Sequence, residues 1–225
     1  MAEIKFCGLT RPEDARVAGE LGAAYLGAIF AGGPRLLTPE RAAVVFAGCS
    51  TPAPRVGVFA AVNAEEIVRI VSAARLDVAQ LHGDPTAEQV AALRERTGAD
   101  VWAVARVGDS LPEGLDELFD AASAVLLDAK VDGRLGGTGV AIAWDRIAPE
   151  LNRVRRGRRL VLAGGLRPEN VAAAIAALGP DVVDVSSGIE SAPGVKDHAR
   201  MRAFAAAVAG ARTAMPAAGT PRMER

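Results

Sequence analysis

Two reactive side chains end short apolar runs in this sequence: Cys7, after Ile4-Lys5-Phe6, and Asp128, after Val125-Leu126-Leu127. A thiol whose pKa falls from about 8.5 towards neutrality works as a base or nucleophile, whereas a buried unperturbed one is an inert small hydrophobe. A carboxylate that closes an apolar run is costly to bury unless it serves something; otherwise it is a solvated loop residue. By strand alternation Cys7 shares a face with Lys5, and in a closed barrel one face of each strand points inward. With the first and sixth strands expected on opposite sides of the ring, an inward Cys7 and Asp128 would face each other across a bound substrate, which suits a reaction in which one group removes a proton and the other donates one.

Around them lie groups suited to anions. Ala163-Gly164-Gly165 and Ser186-Ser187-Gly188 each follow an apolar run, and such glycines let backbone N–H groups approach a phosphate, or else merely permit a tight turn. Arg35, after Gly33-Pro34, offers a planar fork matched to a carboxylate or phosphate, unless it is a plain surface residue. His82 is a candidate ligand, acid or satisfied polar group, and with only His198 beside it in the sequence no metal constellation is expected. Gly136-Gly137-Thr138-Gly139 reads either as a linker or as a lid closing over a phosphorylated sugar.

The elements that must position these residues alternate along the whole chain. Apolar, β-branched runs read as strands at Ile4 to Gly8, Ala24 to Phe30, Arg55 to Phe59, Asp77 to Leu81, Val101 to Val107, Ala124 to Leu127, Arg159 to Leu162 and Val182 to Val185. Between and after them, helix-period segments fall at Pro12 to Leu21, Pro39 to Phe46, Glu65 to Ala74, Thr86 to Glu95, Leu115 to Ala122, Trp144 to Leu151, Pro168 to Leu178 and Asp197 to Val208. Thr10, Thr38 and Asn63 are candidate N-caps. Repeated strand-helix units force parallel strands with right-handed crossovers. A doubly wound sheet would carry a glycine-rich dinucleotide loop after its first strand, where this chain has Cys7-Gly8-Leu9-Thr10. The expected fold is therefore α/β, a single (β/α)8 TIM barrel over residues 1–210, with 211–225 as a flexible tail. Chemistry in such a barrel sits at the C-terminal strand ends, with phosphate held after strands seven and eight.

Composition narrows the partners. The chain has 225 residues, 26 basic against 27 acidic side chains and 4% aromatic residues. It lacks both the clustered positive charge and the stacking platforms of nucleic-acid binders. No uncharged apolar run reaches membrane-spanning length, and no secretory leader is visible. Two cysteines make a poor disulfide framework, so free thiols in the cytoplasm are expected. The run Arg153, Arg155, Arg156, Arg158 and Arg159 reads as a solvated loop on the face away from the chemistry.

The motifs together resemble the phosphoribosylanthranilate isomerases of tryptophan biosynthesis. The likeness runs from Lys5-Phe6-Cys7-Gly8-Leu9-Thr10 through Gln80-Leu81-His82-Gly83, Leu127-Asp128, Gly136-Gly137-Thr138-Gly139 and Ala163-Gly164-Gly165-Leu166. It continues to Asp184-Val185-Ser186-Ser187-Gly188-Ile189-Glu190 and Gly194-Val195-Lys196-Asp197. The resemblance implies a cofactor-free Amadori rearrangement of N-(5-phosphoribosyl)anthranilate by a monomer or homodimer. Asp128 would be general acid and Cys7 general base. Arg35 would hold the anthranilate carboxylate and Asp184 would engage a sugar hydroxyl, with His82 also at the substrate. Gly164, Gly165, Ser187 and Gly188 would bind phosphate. In the second loop Gly33 stands where the family usually has Ser, and the loop is about one residue shorter. Competing readings are a histidine-pathway or bifunctional phosphoribosyl isomerase, which uses Asp at the end of strand one where this chain has Cys7, and a non-catalytic phosphosugar-binding barrel.

Overall fold

The computed structural model describes residues 2–60, 63–108, 110–129 and 144–214. Eight parallel strands close into a barrel in sequential order: β1 Glu3–Phe6, β2 Tyr25–Ile29, β3 Arg55–Phe59, β4 Val78–Leu81, β5 Asp100–Val107, β6 Ala124–Ala129, β7 Leu160–Ala163 and β8 Val182–Val185. The ring is sealed by the β1–β8 ladder, which sets Lys5 opposite Asp184 and Phe6 opposite Val185. Around it run α1 Pro12–Glu20, α2 Pro39–Ala47, α3 Ala64–Ala74, α4 Ala87–Thr97, α5 Leu115–Ala121, α6 Trp144–Arg155, α7 Val171–Leu178 and α8 His198–Ala214. This is the (β/α)8 barrel expected from the alternation of elements.

The strands are apolar at nearly every position because both of their faces are buried. Outward residues such as Phe6, Leu26, Ala79 and Leu127 pack under the helices in one large core. Inward residues form a second, smaller core of Val56, Val78, Trp102, Val104, Leu126, Val161 and Val182, with Tyr25 against it. That inner core fills the lower barrel. Above it the inward positions turn polar: Lys5, Gln80 and Asp184 are all buried.

The caps follow sequence chemistry in three places and depart from it in one. Thr38 and Asn63 accept from the N–H groups of Arg41 and Glu66, and Thr86 with Gln89 forms a reciprocal capping box. Thr10 does not cap α1; Arg11 occupies that position, and the Thr10 hydroxyl donates to the carbonyl of Gly194. The arginine run is likewise not a free loop. Helix α6 continues through Arg155, and Arg155, Arg158 and Arg159 pair with Asp181, Asp120 and Glu3. Two features had no clear signal in the pattern: a short 3-10 helix at Ser187–Ile189, and a hairpin of β9 Glu190–Ala192 with β10 Val195–Lys196. Helix α8 runs past residue 210 to Ala214, with Ala211 buried; residues 215–225 lie outside those described.

Candidate active site

A cavity of about 270 Å³ opens at the C-terminal ends of the strands, and its walls include Cys7, His82, Asp128, Gly164, Gly165, Asp184, Ser187 and Gly188. Arg35 is absent from those walls. Gly136, Gly137, Thr138 and Gly139 lie outside the described residues.

Cys7 follows directly on β1, its N–H donating to the carbonyl of Val185 at 2.9 Å, so it continues the inward alternation from Lys5. It is buried and free. Burial pushes the thiol above its ordinary range and the Asp184 carboxylate pushes it further, while Lys5 and Lys196 pull the other way. The lowered pKa expected for a reactive thiol is thus not what the ligand-free site provides. Burial is the main reason, and each nearby ammonium, though it still favours the thiolate, also has a carboxylate of its own: Lys5 Nζ lies 2.7 Å from Asp184 Oδ2, and Lys196 Nζ lies 2.8 Å from Glu190 Oε1.

Asp128 is the penultimate residue of β6, between Arg106 of β5 and Ala163 of β7 in register. Burial is the main cause that raises its pKa, and the charge of Asp184 adds to it; His82 and Arg106 act in the opposite direction. His82 Nε2 stands 3.4 Å from Asp128 Oδ2. A carboxyl held above its ordinary pKa keeps more of its proton near neutral pH, which suits a general acid. Round the ring, β6 is reached from β1 through β8 and β7. Cys7 and Asp128 are therefore not diametrically opposed but flank the two glycine-bearing strands.

The loops after those two strands carry the glycines expected to form an anion cradle. Gly164 and Gly165 both take positive φ, at 92° and 59°, conformations that a side chain would oppose. Their N–H groups donate to no oxygen among the described residues. Gly188 lies so close to the Leu166 carbonyl that a β-carbon there would collide with it. Only glycine lets the two loops meet, and residues of both loops line the cavity. The helix behind this cradle, α7, begins at Val171 rather than Pro168, so a turn separates the glycines from it.

The rim is built by charge pairs that the linear pattern did not reveal. The Arg35 fork holds Glu190 with two bonds, Nε to Oε1 at 2.8 Å and Nη2 to Oε2 at 2.6 Å. Glu190 also accepts from Lys196 Nζ, which reaches the carbonyl of Ser186 at 3.2 Å. Arg35 is thus ion-paired in the ligand-free protein instead of being an open carboxylate clamp. The hairpin that carries Glu190 and Lys196 is tied down by Asp14, which is buried and accepts from Arg11, His198 and the Lys196 N–H. Lys5, Lys196, Glu190 and Gln80 are the site-forming residues that residue-by-residue reading passed over. Gln80 gave the same signal as Asp128, a polar side chain inside an apolar strand.

The model of the family described as N-(5'-phosphoribosyl)anthranilate (PRA) isomerase matches residues 4–207. An N-(5'-phosphoribosyl)anthranilate isomerase from Pseudomonas fluorescens is 40% identical over 213 residues, which cover 91% of this chain and 97% of that protein. The phosphoribosylanthranilate isomerase structure from Thermotoga maritima superposes with a TM-score of 0.81 at 35% identity, covering 93% of this chain and all of that one. A phosphoribosylanthranilate isomerase solved with reduced 1-(o-carboxyphenylamino)-1-deoxyribulose 5-phosphate matches with a TM-score of 0.78 at 33% identity, covering 93% of this chain and 100% of its own. With a family match spanning most of the barrel, the chain belongs to the N-(5'-phosphoribosyl)anthranilate isomerase family.

Proposed function

We propose that this protein converts N-(5-phosphoribosyl)anthranilate into 1-(2-carboxyphenylamino)-1-deoxyribulose 5-phosphate, the isomerase step of tryptophan biosynthesis, by general acid-base catalysis without a cofactor. One observation carries the reading: Cys7, Asp128 and the glycine cradle of β7 and β8 line the same cavity.

In this reading the substrate phosphate sits on the backbone N–H groups of Gly164, Gly165, Ser187 and Gly188. Asp128 gives its proton to the furanose ring oxygen. The C1–O bond breaks as the anthranilate nitrogen lone pair forms an iminium. In molecules whose Cys7 has given up its proton to solvent, the thiolate then takes the C2 proton, the electron pair moves to form the enolamine, and protonation at C1 with loss of the enol proton gives the ketone. Lys5 and Lys196 favour the thiolate by charge. Asp184 holds a sugar hydroxyl and His82, beside Asp128, faces the substrate. Arg35 takes the anthranilate carboxylate by exchanging part of its grip on Glu190. The lid assignment to Gly136, Gly137, Thr138 and Gly139 rests on their place in the sequence after β6.

The protein is proposed to act within the barrel of residues 1–210, as a monomer or homodimer. No described helix is long and apolar enough to cross a membrane. The cytoplasm is the proposed compartment, supported by two free cysteines. Freshly prepared phosphoribosylanthranilate should lose its fluorescence when the protein is added. No decay would overturn the assignment, and comparable turnover of the histidine-pathway aminoaldose would replace it with a bifunctional one.

A further inference from the structure

Gln80 has no task in the reaction as written. It stands in β4 at 2% exposure, in register with Val58 and Trp102, and forms part of the cavity wall. Its Oε1 is buried without a hydrogen-bond partner. Native proteins pair nearly all such atoms, because an acceptor taken from water and left unmet costs stability, so an exception calls for an explanation. A second atom lining the same cavity has the same lack: Asp184 Oδ1 is buried with no partner among the described residues, while Oδ2 is held by Lys5. Strands β4 and β8 are four steps apart in either direction round the eight-stranded ring, so these two unmet acceptors belong to opposite walls.

Acceptors on opposite walls are satisfied together by a ligand that carries a donor on each side. A pentose chain does so through its hydroxyls. We propose that Gln80 accepts a hydrogen bond from a hydroxyl of the pentose chain, across the cavity from the hydroxyl held by Asp184, so that the two walls jointly select a polyhydroxylated ligand. The inference rests on the phosphoribosyl reading of the site. Gln80 binds and orients in this role and moves no proton. The ligand-free protein carries the cost of the unmet amide oxygen, and binding relieves it, which makes the contact discriminating: a site built to bond a hydroxyl rejects a ligand without one.

The test is Gln80→Met in the full chain, which keeps the length of the side chain and removes its amide. Affinity for reduced 1-(2-carboxyphenylamino)-1-deoxyribulose 5-phosphate should fall about 10- to 100-fold, the range for an unpaired buried partner. Affinity for inorganic phosphate, which reaches only the glycine cradle, should be unchanged. The melting temperature of the ligand-free variant should be equal to or above that of the parent, opposite to what a structural role predicts. Equal analogue affinity in the two proteins would overturn the proposal. So would a lower melting temperature with phosphate binding weakened in step. Gln80→Leu repeats both comparisons should the methionine variant not fold, and failure of both to fold would also overturn it. Failure of the underlying reading shows separately, as no turnover of phosphoribosylanthranilate by the parent protein.

Discussion

At the N-terminal end of the barrel, charged side chains find one another. Glu3 pairs with Arg159, whose guanidinium lies 5.6 Å from the centre of the Tyr25 ring, and Tyr25 meets Trp102 edge-on at 4.8 Å. Asp77 and Asp181 accept from the N–H groups of Arg55 and Leu160, at 2.7 and 2.8 Å. At the C-terminal end two buried acceptors, Gln80 Oε1 and Asp184 Oδ1, have no partner among the described residues, as Arg158 Nη1 and Arg159 Nε have none at the other end; what sets the mouth apart is that burial holds both the Asp128 carboxyl and the Cys7 thiol above their ordinary pKa values. The first arrangement stabilises the fold. In the second, burial disfavours the ionised forms of Asp128 and Cys7, which is why residues at the two ends should respond to mutation in opposite ways.

The largest effects belong to the mouth. Cys7→Ala and Asp128→Asn should each lower kcat by about 10²- to 10⁴-fold while the product analogue still binds; unchanged turnover in either variant would remove that residue from the chemistry. Next is the thiol itself. Because burial keeps Cys7 protonated, alkylation followed by the mass of its peptide should speed up roughly tenfold per pH unit between about pH 7 and 9, and product analogue should slow it. A rate already flat across that range would mean a thiolate at rest.

The contrast sharpens in stability. The Asp128 carboxyl has a higher pKa folded than unfolded, so the folded state binds more protons between the two values. Its favourable contribution is complete below the unfolded value, near 3.8, and is lost as pH rises through the raised folded one. Asp128→Asn should accordingly melt above the parent at pH 8, with the gain shrinking towards pH 4, at about 2–4 °C for each kcal/mol relieved. A lower melting temperature at pH 8 would contradict this. Smallest is the response of the other end. Glu3→Gln should cost about 0.2–1 kcal/mol in thermal stability, the range for a partly exposed pair, with kcat/KM unaltered. Altered kinetics there would break the division between the two ends.

Much of the fold was legible because a parallel strand buried on both faces must be apolar throughout, and the helices between such strands announce themselves by period. Cys7, Asp128 and the glycine pairs were legible because they interrupt those runs at the ends where barrel chemistry gathers. What stayed hidden depends on distance along the chain. Arg35 and Glu190 are 155 positions apart, and nothing near either one says that the fork is already occupied. The direction of the Cys7 pKa was hidden for the same reason: both neighbouring ammonium groups bring their own carboxylates, and only the packed structure shows that burial outweighs what remains of their charge. The helical arginines of α6 misled because charge is no obstacle to a helix whose other face is buried.

The bond between Lys5 and Asp184 joins side chains 179 positions apart, one from the first strand of the barrel and one from its last. A chain still emerging from the ribosome has the thiol in hand long before it has the carboxylate, the anion cradle or the hairpin that steadies the rim. A cavity walled by residues from both ends of the chain is thus complete only once β8 has closed the ring.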